Sequence, residues 1–327
     1  MSERIVFMGT PEFASGCLKA LVEAKMNVVA VVTMPDKPIG RGHKMGMSEV
    51  KKTAMDLGLP LMQPLNLKDS AFLQELRSFK ADLQIVVAFR MLPEAVWAMP
   101  RLGTFNLHAS LLPKYKGAAP IQRAIWNGES ESGVTTFLLD KGMDTGSILF
   151  QERIRLAPEE TAGSLHDRLL AIGAPLVVKT AKALFDGSAQ AIPQPVLESP
   201  VPDAPKIFKK DCILDFAKPA SELHRQVKAL SPHPAAITYL HNAETGETTP
   251  IKVLASRIST DFPKSYEQGS LVSDGKHFLG MACAEGGILF LEKIQLPGKK
   301  PLTTEDCLRG LRWENRNMLS FSKVMNN

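Results

Sequence analysis

Three residues in the first half of this 327-residue chain have the types and spacing for acyl transfer. Asn106 and His108 stand two apart in Thr104-Phe105-Asn106-Leu107-His108, where apolar residues alternate with them. On a β-strand that spacing puts both side chains on one face. Asp144 follows in the turn Asp140-Lys141-Gly142-Met143-Asp144-Thr145-Gly146, which can carry a carboxylate toward a neighbouring histidine. Converging on one cleft, the amide would donate to a developing oxyanion. The imidazole would move or donate a proton near neutral pH, and the carboxylate would fix its tautomer and stabilise the imidazolium. Each of the three alone is equally at home as a cap, a turn residue or a satisfied core group, and spacing by itself does not make them a set.

Such a set needs a rigid platform, and the surrounding pattern supplies one. Short apolar runs at 5–8, 27–32 and 83–88 alternate with helical patterns: one carrying Phe13, Cys17, Leu18 and Leu21 after Gly9-Thr10-Pro11, then 47–57 and 70–79. Continuous apolar strands between amphipathic helices predict a mostly parallel sheet covered on both faces. That is a doubly wound α/β domain, whose ligand crevice lies beyond the carboxyl ends of the strands near a topological switch point. Further strands are predicted at 104–107, 134–139 and 148–154, and a long helix at 161–185 ending near Gly187. Pro193, Pro195, Pro200, Pro202 and Pro205 then exclude helix and central strand, so 190–206 reads as an extended linker. Beyond it, one helix at 219–230 and short strand-like runs at 251–256, 269–272, 278–282 and 288–294 predict a small, OB-like β-barrel. The expected division is a catalytic domain at 1–189, a linker at 190–206 and a β-barrel domain at 207–327.

Composition removes several classes of function. Apolar residues at 44% and charged residues at 22% describe an ordinary globular chain. No apolar run reaches the ~18–20 residues that span a bilayer, and Met1-Ser2-Glu3-Arg4 opens directly onto a strand-like run without a signal-peptide pattern. A cytoplasmic location without membrane contact is expected. Cys17, Cys212, Cys283 and Cys307 are scattered, with no Cys-x-x-Cys pair, so neither a metal site nor a redox couple is expected. The net charge of +5 suits a polyanionic partner without requiring one. Gly9-Thr10-Pro11-Glu12-Phe13 lacks the glycine spacing of a dinucleotide-binding loop, which argues against a dehydrogenase.

Taken together, Asn106-Leu107-His108, Ser110-Leu111-Leu112-Pro113, Gly117-Ala118-Ala119-Pro120 and Asp144-Thr145-Gly146 form a long ordered combination. It resembles the signature of the folate-dependent formyltransferases. Phe7-Met8-Gly9-Thr10-Pro11-Glu12-Phe13 and Ala229-Leu230-Ser231-Pro232 are similar to the branch of that family whose acceptor is initiator methionyl-tRNA. The resemblance runs from the N-terminus to about residue 320. It implies that Asn106, His108 and Asp144 are the catalytic set and that Ser110, Leu111, Leu112 and Pro113 help bind the reduced folate. It also implies a folate contact through the segment holding Phe89, Met91 and Leu92. The implied formyl donor and co-substrate is 10-formyltetrahydrofolate, with no metal and no covalent enzyme intermediate. Asn106 and protonated His108 would stabilise the oxyanion and Asp144 would support the imidazolium. Whether His108 or a water held by Asp144 takes the amine proton stays open.

The second informative segment is Lys37-Pro38-Ile39-Gly40-Arg41-Gly42-His43-Lys44. Glycines around a cation make a mobile loop that can set charge against phosphate or a base edge, although a solvated surface loop has the same composition. In the methionyl-tRNA branch a Gly-Arg-Gly loop at this point enters the acceptor stem, and Arg41 matches its arginine. Lys37, Lys44, Lys51 and Lys52 could add phosphate attraction. In the barrel domain Lys209, Lys210, Lys299, Lys300, Arg309, Arg312 and Arg316 are candidates for a phosphate-facing surface. Two departures from the family pattern stand out: Ser48-Glu49-Val50-Lys51 replaces a Ser-Pro-Val-Lys-like segment, and Phe89-Arg90 replaces Tyr-Gly. Arg90 is expected either at the folate or in solvent. An amino-sugar acceptor and a non-enzymatic RNA-binding protein are the competing readings. The basic loop and second domain argue against the first, the catalytic set against the second. A monomer without an obligate protein partner is expected.

Overall fold

The computed structural model describes residues 3–39, 44–197, 200–242, 246–259, 266–310 and 319–322. They form two compact units. The first holds residues up to Pro120, Glu131–Arg155 and His166–Ala204; the second holds Ile121–Ser130, Leu156–Leu165 and Pro205 onward. No helix among the described residues is long and apolar enough to cross a membrane.

The chain begins with β1 (Ile5–Gly9), α1 (Glu12–Glu23), β2 (Val28–Val32), the short β3 (Lys37–Ile39) and β4 (Lys44–Gly46), and α2 (Glu49–Asp56). It continues with β5 (Leu61–Met62), α3 (Ser70–Ser78), β6 (Leu83–Val87), α4 (Glu94–Trp97), β7 (Thr104–His108), α5 (Pro120–Trp126), β8 (Glu131–Leu138), β9 (Ile148–Arg155) and α6 (Ala162–Phe185). The main sheet of the first unit runs β5-β2-β1-β6-β7-β8-β9. Pairings from β5 through β7 are parallel, and β8 and β9 are added antiparallel. Every residue of β1 and β6 is buried, as expected for central strands covered on both faces. On one side Val6, Met8, Ala30, Val32, Phe72, Leu76 and Val96 share a core. From β1 the chain goes to β2 on one flank and later returns to β6 on the other. The switch point therefore lies between β1 and β6. Gly9, Val87 and His108 are the last residues of β1, β6 and β7, so His108 sits at the rim where this topology places a ligand crevice.

The second unit is built on a 3-10 turn at Lys209–Cys212 and α7 (Ala220–Leu230). Its strands are β10 (Ala236–Asn242), β11 (Thr248–Ser259), β12 (Leu271–Ser273), β13 (Leu279–Ala282), β14 (Ile288–Gln295), β15 (Leu302–Thr303) and β16 (Leu319–Ser322), with α8 (Thr304–Gly310) between the last two. The sheet runs β12-β13-β14-β11-β10-β16, with β15 paired to β14, and every pairing is antiparallel. Its outer members β12 and β16 approach each other, turning the sheet into a half-barrel of OB-like form. Leu223, Val227 and Leu230 of α7 pack into its core with Val253, Met281, Leu289 and Leu291.

Candidate active site

His108 is 6% exposed, and its ring is held from both sides. Nε2 lies 2.8 Å from the Tyr115 carbonyl oxygen. A carbonyl can only accept, so Nε2 carries the hydrogen and Nδ1 is the nitrogen left for a reacting group. Nδ1 stands 3.8 Å from Asp144 Oδ2. That is too long for a hydrogen bond and short enough for the two to act as an ion pair once the ring is protonated. The carboxylate is fixed instead by the Gly117 backbone, whose N–H donates to Oδ2 at 2.9 Å. Asn106 is half-buried on the same face of β7. Its amide makes no hydrogen bond among the described residues.

Backbone strain gathers here. Tyr115 and Asp144, neither a glycine, have φ of 61° and 54°, and Ala88 just past β6 has 46°. Each is an unfavourable left-handed conformation that persists only when its surroundings impose it. Gly117 has φ 119°, and a Cβ there would stand 2.7 Å from the Ala204 carbonyl oxygen. Glycine is required at that position by both conformation and space.

The segment 110–113 is braced from β8 and β9. Thr135 Oγ1 donates to the Ser110 carbonyl at 2.7 Å and accepts the Leu112 N–H at 3.2 Å. Gln151 Nε2 reaches both the Leu112 carbonyl and Thr135 Oγ1 at 2.9 Å. The Ser110 hydroxyl is turned inward to the Lys114 carbonyl at 2.7 Å. Leu112 is buried, while Leu111 and Pro113 are half-buried. Of the other folate candidates, Phe89 packs against the core of the first unit, Leu92 is buried within it and Met91 is 69% exposed. Arg90 is half-buried, with its Nε unpartnered among the described residues. Its guanidinium donates to the backbone carbonyls of Pro64 and Leu65, tying the turn after β6 to the turn after β5.

The basic segment also differs from a plain mobile loop. Lys37–Ile39 and Lys44–Gly46 pair as the antiparallel β3–β4 hairpin, and its base is clamped. Lys51 Nζ lies 2.6 Å from Asp36 Oδ2, and Gln63 Nε2 donates to Asp36 Oδ1 at 3.0 Å and to the Met34 carbonyl at 2.9 Å. Hydrogen bonds from Lys51 and Gln63 hold the Asp36 carboxyl below the usual carboxylate range. Ser48 bonds Thr33 across the base at 2.8 Å and caps α2 through the Lys51 N–H. Lys51 is therefore a structural cation, and Lys52 pairs with Glu49 at 2.6 Å. Lys37 is exposed. Arg41 lies outside the described residues, as does the side chain of Lys44. In the second unit Lys209, Lys210, Lys299 and Lys300 are exposed. Arg309 pairs with Glu305 and Asp306, and Arg312 and Arg316 lie outside the described residues.

Tyr115, Thr135 and Gln151 take part in this site and escape a reading of the sequence, in which Gly117 stands in the signature without its role. Tyr115 and Gly117 act through main-chain atoms, and the other two through contacts between distant segments. Cysteine chemistry has no place in it: all four thiols are buried and free, and burial pushes Cys17 up to about 12. Among the described residues no three His, Cys, Asp or Glu side chains gather as metal ligands.

Residues 3–180 match the family model described as Formyl transferase, and residues 206–312 match Formyl transferase, C-terminal domain. A methionyl-tRNA formyltransferase of Bacteroides fragilis is 50% identical over 311 residues, spanning 94% of each chain. One of Bacteroides thetaiotaomicron is 48% identical over 316 residues, spanning 94% of this chain and 96% of its own. Among solved structures, an N-formyltransferase from Helicobacter canadensis, in complex with folinic acid and dTDP-3-aminofucose, aligns at TM-score 0.63 and 20% identity. That alignment covers 89% of this chain and 99% of the other. At that identity it speaks for the fold.

Proposed function

The chain belongs to the formyl transferase family, and from that membership we propose that it transfers the formyl group of 10-formyltetrahydrofolate to the α-amine of methionyl initiator tRNA, in the cytoplasm and for translation initiation. The amine lone pair forms the new C–N bond at the formyl carbon while the carbonyl π pair moves onto oxygen. Collapse re-forms the carbonyl and breaks the bond to N10 of the folate. Overall the amine loses one proton and N10 gains one. Asn106 donates to the developing oxyanion. His108, with Nε2 committed to Tyr115, meets the reacting atoms through Nδ1. Asp144 stabilises the imidazolium across 3.8 Å and holds the water through which the amine proton leaves. The segment 110–113, braced by Thr135 and Gln151, shapes the folate side together with Phe89, Met91 and Leu92.

Residues 1–189 carry the chemistry and 207–327 hold the tRNA, with Lys209 and Lys210 facing phosphate. Arg41, Lys37 and Lys44 of the basic segment approach the acceptor stem. The observation that carries this reading is the joint fixing of His108 and Asp144 by one loop, Tyr115 to Gly117, at the strand end where the topology places a ligand. The 50% identity to a methionyl-tRNA formyltransferase supports the acceptor. Labelled formyl donor offered with initiator methionyl-tRNA, elongator methionyl-tRNA and a free amino sugar tests it. Label on the initiator alone is expected; equal labelling of both tRNAs, or label on the sugar only, would overturn the acceptor.

A further inference from the structure

The described residues of the proline-rich segment after α6, up to Leu197 and from Pro200, are bonded to the start of β9 and to the loops that build the site. Ile192 exchanges both main-chain hydrogen bonds with Ile148, at 2.7 and 2.8 Å. Pro202 accepts the Tyr115 N–H at 2.6 Å. Ala204 donates to the Lys116 carbonyl at 2.7 Å and accepts the N–H groups of Ala118 and Ala119 at 2.8 and 3.1 Å. Between these anchors the Gln194 amide nitrogen donates to two carbonyls, those of Asp144 at 2.8 Å and Gly146 at 2.9 Å. These carbonyls bracket the turn in which Asp144 is held at φ 54°.

We propose that Gln194 is a positioning residue for Asp144. Its two donors lock the left-handed turn that aims the carboxylate at His108 Nδ1 and the Gly117 N–H. The inference rests on the formyl-transfer reading above. A left-handed aspartate relaxes toward ordinary backbone angles unless something opposes it, and two donors on one planar amide fix the separation and direction of both carbonyls. Only the amide nitrogen can serve, because an oxygen facing two carbonyl oxygens would repel them. The same segment holds the other side of the site through Tyr115, Lys116, Ala118 and Ala119, so the loops that fix His108 and Asp144 are both referenced to it. Gln194 touches neither the imidazole nor the Asp144 carboxylate, and its effect passes through the backbone of residues 144–146.

Gln194→Met keeps the length and removes the donors; Gln194→Glu keeps the shape and replaces donors with acceptors. For both, kcat is expected to fall on the order of 10- to 100-fold, as a displacement of about 1 Å at a reacting group does. KM for the folate and the tRNA should stay within about twofold. In an Asp144→Asn background the further loss should shrink below about threefold, because the two act as one unit. Hydrogen exchange of the peptide covering 140–147 should accelerate in both variants, a readout that needs no turnover. The proposal fails if kcat stays within about twofold of wild type, if the losses multiply fully, or if exchange is unchanged. Wild-type turnover on initiator methionyl-tRNA tests the parent reading separately.

Discussion

The backbone N–H of Gly117 lies closer to Asp144 Oδ2, at 2.9 Å, than His108 Nδ1 does, at 3.8 Å. The carboxylate is thus held ready beside the imidazole by a main-chain donor. The same loop, two residues earlier, supplies the carbonyl that fixes the opposite ring nitrogen. One short stretch therefore sets both the tautomer of His108 and the place of the carboxylate beside it. Preorganisation of this kind lets a site stabilise charge without reorganising during the reaction.

Asn106 is the direct test of where that charge develops. Its amide is half-buried and makes no hydrogen bond among the described residues, so removing it leaves no internal partner unsatisfied. Asn106→Ala is expected to lower kcat on the order of 100- to 1000-fold, with an unchanged melting temperature and folate KM. A loss below tenfold in single-turnover transfer would take Asn106 out of the oxyanion site.

Gly117→Ala probes the loop itself. The substitution puts a Cβ 2.7 Å from the Ala204 carbonyl oxygen in a backbone at φ 119°. The expected loss of stability is about 1–3 kcal/mol, read as a lower urea midpoint with unchanged slope. A drop in kcat should accompany it, because the N–H that holds Asp144 moves. Full activity in the variant would mean that the carboxylate does not depend on this donor.

Two lysines near the basic segment separate architecture from phosphate contact. Lys37 is exposed, whereas Lys51 is spent on Asp36 at the base of the hairpin. Lys37→Ala should weaken tRNA binding and reduce the slope of log K against log salt by about 1. Lys51→Gln should raise KM for the tRNA while leaving that slope unchanged, because the residue acts by holding β3 and β4 in place. Salt titrations of both variants check the difference, and a reduced slope for Lys51→Gln would return it to the phosphate-binding set.

The β-strands of the doubly wound sheet can be read from the chain because β1 and β2 are uninterrupted apolar runs and β6 is broken only by the buried Gln84, and burial on both faces demands such runs. The pairing of Asn106 with His108 is legible for a different reason: parity puts the two on one strand face, although spacing alone does not join Asp144 to them. Other parts leave no such mark. At seven residues α5 is too short for a helical period, and β10 starts just beyond Pro232, Pro234 and Ala235, where punctuation suggests a turn. The Lys51–Asp36 pair joins residues 15 apart in sequence, and opposite charges at that separation carry no periodic signal. Arg90 ends on the carbonyls of Pro64 and Leu65, which have no side-chain signature. The proline run reads as an extended linker, yet the attachment of its described residues to the site consists of main-chain bonds and one glutamine, and composition encodes neither.

His224 makes the second unit sensitive to pH, and the sign follows from its surroundings. The ring is nearly buried on α7, with Nδ1 2.9 Å from Ser256 Oγ and Nε2 3.3 Å from Glu159 Oε2. Burial, followed by the charge of Lys228, lowers its affinity for a proton despite Glu159 and Glu292. The unfolded chain therefore binds that proton more readily than the folded one. The contribution to stability is complete above the ordinary histidine value of about 6.5 and is lost as pH falls below it. Thermal melting of the protein should shift downward between about pH 7 and pH 5.5. His224→Gln, which keeps a group able to bond Ser256, should flatten that part of the profile. Because His108 lies in the other unit, its chemistry gives an independent control: His224→Gln should leave kcat at pH 7.5 within about twofold of wild type, whereas His108→Gln should abolish transfer. If the melting profile keeps its slope without an imidazole at 224, the titrating group is elsewhere.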